Sequence, residues 1–134
     1  MKIGEAFVEW QVVGVSAILC KRSVEIELVD TAAARWKLVG LGVVDFGLNE
    51  MRLQNVVDRL IVFSDVEMHR SEIESLIFYM LQGSEISDAD RESAPMTNRI
   101  ERIQNGELRL LWIQPIGGAE ILMLAQAIDL SPCE

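Results

Sequence analysis

Cysteine is scarce in this chain: Cys20 and Cys133 stand alone in 134 residues, and no CxxC pair exists. Reduced thiols and a cytoplasmic location are therefore the expectation. Histidine is scarcer still, with His69 the single example. Nucleophilic catalysis needs a base within reach of its nucleophile, most often a histidine. No serine lies in a GxSxG setting, so a hydrolase triad would rest on His69 alone. A solvated residue just ahead of a helix is the simpler reading.

Positive charge is also in deficit, with 12 Lys+Arg against 21 Asp+Glu and a net charge of −9. Such a surface repels phosphates, and no Lys/Arg stripe offsets it, so nucleic acid and anionic membrane surfaces are poor partners. A basic protein would be attracted and its association accelerated. The plainer role of the charge is to keep an apolar-rich chain soluble. Long apolar runs are missing too. Val12–Cys20 is nine residues, about half of the roughly 18 needed to span a bilayer. The opening MKIGEAFVEWQ carries Glu5 and Glu9 without an apolar core and does not read as a signal peptide.

Apolar material is plentiful, at 50% hydrophobic residues. A chain of this size should expose roughly 7,000 Å² of the about 22,000 Å² of its unfolded state. A core can therefore form without a disulfide or metal staple. Residues 1–134 read as a single α+β domain, with apolar residues to spare for a homodimer interface.

The first two-thirds reads mainly as strands. In Ser23–Asp30, Val24, Ile26 and Leu28 alternate with Glu25 and Glu27, one face wet and one buried. Val8–Lys21 predicts one or two strands, with Gly14 a break or bulge, and a turn follows around Asp30–Ala33. Arg35–Phe46 is a nearly continuous apolar run holding Gly40 and Gly42, which at about 1 kcal/mol each favour strand over helix. Met51–Phe63 predicts another strand bulged near Asn55, although Leu53, Val56, Val57, Leu60 and Ile61 also fit helical spacing.

Ser71-Glu72-Ile73-Glu74 has the form of a capping box. Ile73, Leu76, Ile77, Met80 and Leu81 follow as one apolar stripe, and Gly83 is placed to end the helix. Ser84–Pro95 is polar and acidic and predicts a loop. Asn98–Gln104 leads into Asn105-Gly106, a strong hairpin signal. Leu108, Leu110 and Trp112 then suggest a strand, Pro115–Gly118 a turn and Glu120–Leu130 the last strand.

Chemical motifs are weak. Glu67, His69 and Glu72 cluster in sequence, but borderline metals usually want more than one His or Cys. Asp88-Ala89-Asp90-Arg91-Glu92 begins like a calcium loop, yet Ser93 stands at its glycine position and Arg99 at its final glutamate position. No metal site and no cofactor are expected. Gly40-Leu41-Gly42 lacks the rest of a dinucleotide fingerprint, and Asp45-Phe46-Gly47 lacks every other kinase signature. Paired carboxylates for acid/base work are inevitable by chance among so many acids. Trp10, Trp36 and Trp112 suit core packing better than a binding pocket.

Leu38–Gly47, Arg52–Val57 and Gly118–Ile121 together resemble small, β-rich bacterial proteins of uncharacterised families, some grouped with toxin-immunity proteins. The likeness covers Ser23–Val62 and the final hairpin and consists mostly of hydrophobic spacing plus Asn55 and Glu120. It implies an α+β fold with a curved antiparallel sheet and one packed helix, and a role by binding.

The expectation is thus an α+β fold of about six to eight mainly antiparallel strands, with the helix Ser71–Gln82 against one face. The chain is expected to be a non-enzymatic, acidic, immunity-like protein-binding module that masks a basic partner through Asp88, Asp90 and Glu92. The alternatives are a small-ligand binder or enzyme with a carboxylate-lined pocket on the sheet, and a structural homodimer subunit.

Overall fold

The structure, a computed structural model, describes residues 7–133. Its strands are β1 (Gln11–Ile18), β2 (Ser23–Val29), β3 (Arg35–Asn49), β4 (Val56–Phe63), β5 (Arg109–Gly117) and β6 (Glu120–Pro132). Every neighbouring pair is antiparallel, and the sheet closes into a barrel in the order β1-β2-β3-β6-β5-β4. Between β4 and β5 lie α1 (Val66–Gln82), α2 (Asp88–Arg91) and α3 (Ala94–Gln104).

The sheet separates two cores. Val24, Ile26 and Leu28 of β2 point inward to meet Leu38, Leu60, Leu111, Ile113, Ile121 and Met123, while Glu25 and Glu27 face out. There Glu27 pairs with Arg35 at 2.9 Å and Glu25 with Lys37 at 3.6 Å. Side chains fill the interior, as expected of a small barrel. Gly40 belongs to that packing, because a Cβ there would overlap the Sδ of Met123.

The second core lies between the barrel wall and the helices. Leu110, Leu122 and Leu124 face outward onto Ile73, Ile77, Met96, Ile100 and Ile103. β5 and β6 are thus buried on both faces, which explains their unbroken apolar run where β2 alternates. Gly47 lets α1 approach β3, with Met80 Cγ 3.2 Å from where a Cβ would sit.

Asn55 fastens the seam between β1 and β4. Its side chain is buried and donates to the Val12 carbonyl at 3.2 Å and the Arg52 carbonyl at 2.8 Å. Its Oδ1 accepts from the amides of Arg52 and Ala119, each at 2.9 Å. One neutral side chain so joins β1, the loop ahead of β4 and the β5–β6 turn. Gly118 in that turn has φ +90°, and a Cβ on it would strike Asn55.

Several expectations are corrected. Six strands are present, at the low end of the expected range, and three helices rather than one. Val8–Lys21 holds one strand, within the expected one or two and bulged beside Gly14 as expected, followed by a short 3-10 turn at Leu19–Lys21. In Met51–Phe63 the strand begins only at Val56, and the helical alternative fails because Leu60 and Val62 enter the barrel while Ile61 and Phe63 face the helices. Pro115–Gly117 belongs to β5, so the turn tightens to Gly118-Ala119.

Helix α1 starts five residues before Ser71, capped by Asp65, whose side chain accepts from the Met68 amide at 3.3 Å, and is kinked at His69. Ser71 therefore lies inside the helix, and Glu74 reaches arginines instead of forming the expected box. Ser84–Pro95 is not all loop, because α2 forms within it on a real capping box between Ser87 and Asp90. Asn98–Gln104 is the end of α3 rather than a strand. Met96, Ile100 and Ile103 form its buried stripe, Pro95 opens it, and Gly106 (φ +79°) follows its C-cap Asn105.

Candidate functional site

The helical layer concentrates the charge. Residues 64–108 hold ten acids against four arginines, a net −6, leaving eleven acids and eight bases, a net −3, for the rest of the chain. All four arginines are engaged by carboxylates. Arg91 binds Glu74 at 2.9 Å, with Arg70 at 3.6 Å from the same carboxylate. Arg99 forks onto Asp45 of β3 at 2.7 and 3.3 Å, and Arg102 meets Glu107 at 3.2 Å. Among the described residues, Glu67, Glu72, Glu85, Asp88, Glu92 and Glu101 are exposed and make no ion pair.

The three acids singled out in the sequence divide in role. Asp88 and Glu92 are exposed at the two ends of α2. Asp90 is committed to the fold: its Oδ2 accepts from the Ser87 hydroxyl at 2.6 Å and the Ser87 amide at 3.0 Å. The Ser87 hydroxyl, followed by the Ser87 amide, holds the Asp90 carboxyl below its ordinary pKa. α2 is itself tied to α1 through Arg91, whose Nη2 also donates to Ser75 Oγ at 3.3 Å.

Beside α2 runs a groove of about 560 Å³ that sequence reasoning did not locate. Leu76, Tyr79 and Ile86 form apolar parts of its lining, Arg91 stands at the α2 side, and Glu85 and Glu120 add carboxylates. Glu120 accepts from Trp112 Nε1 at 3.1 Å, which orients it from the start of β6. Spacing along the chain gave no sign of this site, because Tyr79, Ile86 and Glu120 meet only once α1 crosses the barrel wall.

The other residues weighed for chemistry are placed elsewhere. His69 is exposed and sets its ring edge-on to Phe63 with centroids 5.5 Å apart. Among the described residues no three His, Cys, Asp or Glu side chains group to hold a metal ion. Trp10 and Trp36 pack against the barrel core with ring centroids 5.4 Å apart and planes tilted by 40°, and Trp36 Nε1 donates to Asp30 at 2.9 Å. Trp112 carries the Arg59 guanidinium 5.6 Å from its ring centre. Cys20 and Cys133 are free and exposed. No helix among the described residues is long and apolar enough to cross a membrane.

These features define an α+β protein: a closed, side-chain-filled antiparallel barrel bearing an acidic helical layer on one wall. Comparison with protein-family models, with curated proteins and with solved structures gave no match to the chain.

Proposed function

We propose that the chain is a non-enzymatic protein-binding module that masks a basic surface of a partner, in the manner of an immunity protein. The carrying observation is the charge balance of the helical layer. Each of its arginines meets a carboxylate, Arg70 and Arg91 sharing Glu74 and Arg99 taking Asp45 of β3, so the exposed acids that make no ion pair leave the layer with a net negative field. Asp88 and Glu92 steer the partner, while the groove along Leu76, Tyr79 and Ile86 receives an apolar side chain at the centre of the contact. Inhibition would follow from occlusion.

The test begins with capture from a lysate at low salt and stepwise salt elution, followed by stopped-flow association with the purified basic partner. Association should slow at least about tenfold between roughly 50 mM and roughly 500 mM salt. The double variant Asp88→Asn/Glu92→Gln should lower the low-salt rate about two- to fivefold while leaving dissociation nearly unchanged. A stoichiometric partner whose association ignored both salt and these substitutions would sink the electrostatic reading.

Glu85 and Glu120 in the same groove support a second reading, a site for a small cationic ligand. A cationic fragment screen read by chemical shifts of Tyr79 and Trp112 separates the two. Saturable binding abolished by Glu120→Gln favours the ligand.

A further inference from the structure

Strand β1 pairs with β2 along its length but with β4 only where Gln11 faces Val56. The Val12 amide still reaches the Asn55 carbonyl at 2.9 Å. Beyond it, no described residue offers a backbone partner to the outer edge of Val13–Ile18. Proteins usually blunt such an edge with charge, proline or a covering segment. Gln11–Cys20 contains neither charge nor proline. Ser16 to Cys20 are exposed one after another, so the end of the strand is bare on its faces as well as at its edge.

The side chains around this edge are apolar. Leu19 is 84% exposed, Val13 48% and Ile18 42%. A groove of about 460 Å³ follows between the β1–β2 turn and β3, lined by apolar Ile18, Leu19, Val43, Val44 and Phe46 with Arg22 at its side. The carboxylates beside the strand, Glu25 and Glu27 of β2, are already paired with Lys37 and Arg35. Two chains of net charge −9 can therefore meet along this uncharged strand without setting unpaired carboxylates against each other.

We propose that the occupant is a second copy of this chain, joined by antiparallel pairing of the two β1 edges about a two-fold axis. An axis passing between Val15 and Ser16 sets Val13 of one copy across from Ile18 of the other, with Leu19 just beyond the end of the ladder. The same patch thus supplies both halves of the contact, as an isologous interface requires. The pairing extends the barrel wall across the dimer and leaves the helical layers free. The contact is small, so the dimer forms in a concentration-dependent way. None of this depends on the proposed masking role, which involves the helical layer.

Sedimentation velocity of the full chain across about 5 to 500 µM tests the proposal. The mass should rise from 15.0 kDa toward twice that value. Leu19→Asp and Val13→Lys, both at exposed positions, should each weaken the dimer at least about tenfold, with unchanged circular dichroism and melting. Backbone amides of Val13–Ile18 should gain hydrogen-exchange protection with concentration in the wild type but not in Leu19→Asp. A monomer throughout the range, which would leave the edge to a strand of another protein, overturns the proposal. So does a dimer that both variants preserve, or one that forms without protecting β1.

Discussion

Inside the barrel, Leu38, Leu60 and Met123 meet with no charged side chain among them. Outside it, Ile73, Ile77 and Ile100 pack beneath a rim of ion pairs that ties α1 to α2 and α3 to β3. The two buried polar side chains among the described residues divide in the same way. Neutral Asn55 sits at the barrel seam and charged Glu74 in the helical layer. In the barrel, strand ladders already satisfy most backbone groups, so a single amide side chain suffices at the seam. Helices packed side by side share no such ladder and are held in register by side chains. The barrel is therefore specified by shape and hydrogen bonding, and the layer by shape and charge.

That contrast can be broken from the barrel side first. Leu60→Ala removes a fully buried side chain and should destabilise the protein by about 3–4 kcal/mol in urea unfolding. Asn55→Ala strands the Val12 and Arg52 carbonyls and the Arg52 and Ala119 amides. It should cost about 3 kcal/mol, with exchange rising first at Val12 and Ala119. A loss below about 1 kcal/mol would mean that the seam closes without Asn55.

The layer should yield more cheaply and locally. Glu74→Ala leaves Arg91 without its buried carboxylate. Arg91 and especially Arg70 retain access to water, so about 1–2 kcal/mol is expected rather than the larger cost of a fully buried pair. Exchange should increase in α2 before it does in β6. High salt should reduce this penalty while leaving that of Leu60→Ala intact.

The smallest effect is a pH dependence at the β2–β3 turn. Trp36 Nε1, followed by the Ala34 amide, holds the Asp30 carboxyl below its ordinary value of 3.8. The unfolded chain therefore binds a proton at Asp30 more readily than the folded one, and stability falls with falling pH. The contribution is complete above 3.8 and is lost as pH drops through the lower folded value. The melting difference between wild type and Asp30→Asn should stay constant from about pH 7 to about pH 5 and shrink below about pH 4. A difference that grew on acidification would reverse the assignment.

Strands with one wet face were legible in the sequence. Glu25 and Glu27 of β2 alternate with buried residues because nothing covers the outside of that wall. β5 and β6 were legible as strands, but their two-faced burial depends on helices elsewhere in the chain. The α1 stripe from Ile73 to Ile77 was visible, whereas its start was misplaced because Ser71 and Glu74 have capping-box spacing without standing at a helix end. α3 was hidden by Asn105-Gly106. The positive φ that suits a hairpin turn also ends a helix, and Met96, Ile100 and Ile103 arbitrate between the two. The acids of α2 were visible as charge, but not Asp90 as a cap. The groove at Tyr79 and Glu120 and the seam at Asn55 are products of closure, and local spacing carries no trace of closure.

Phe63 and Leu110 face each other across the β4–β5 ladder, so the segment 64–109 that carries the whole helical layer departs from and returns to a single rung. Topologically it is one long hairpin loop, and extending a flexible loop from about four residues to this length costs only about 2 kcal/mol in closure entropy. The barrel's connectivity would survive its replacement by a tight turn. Leu110, Leu122 and Leu124 would not, because excision opens their face to water. The layer is optional to the path of the chain and compulsory to its solubility. An excised barrel should fold and then aggregate through β5 and β6.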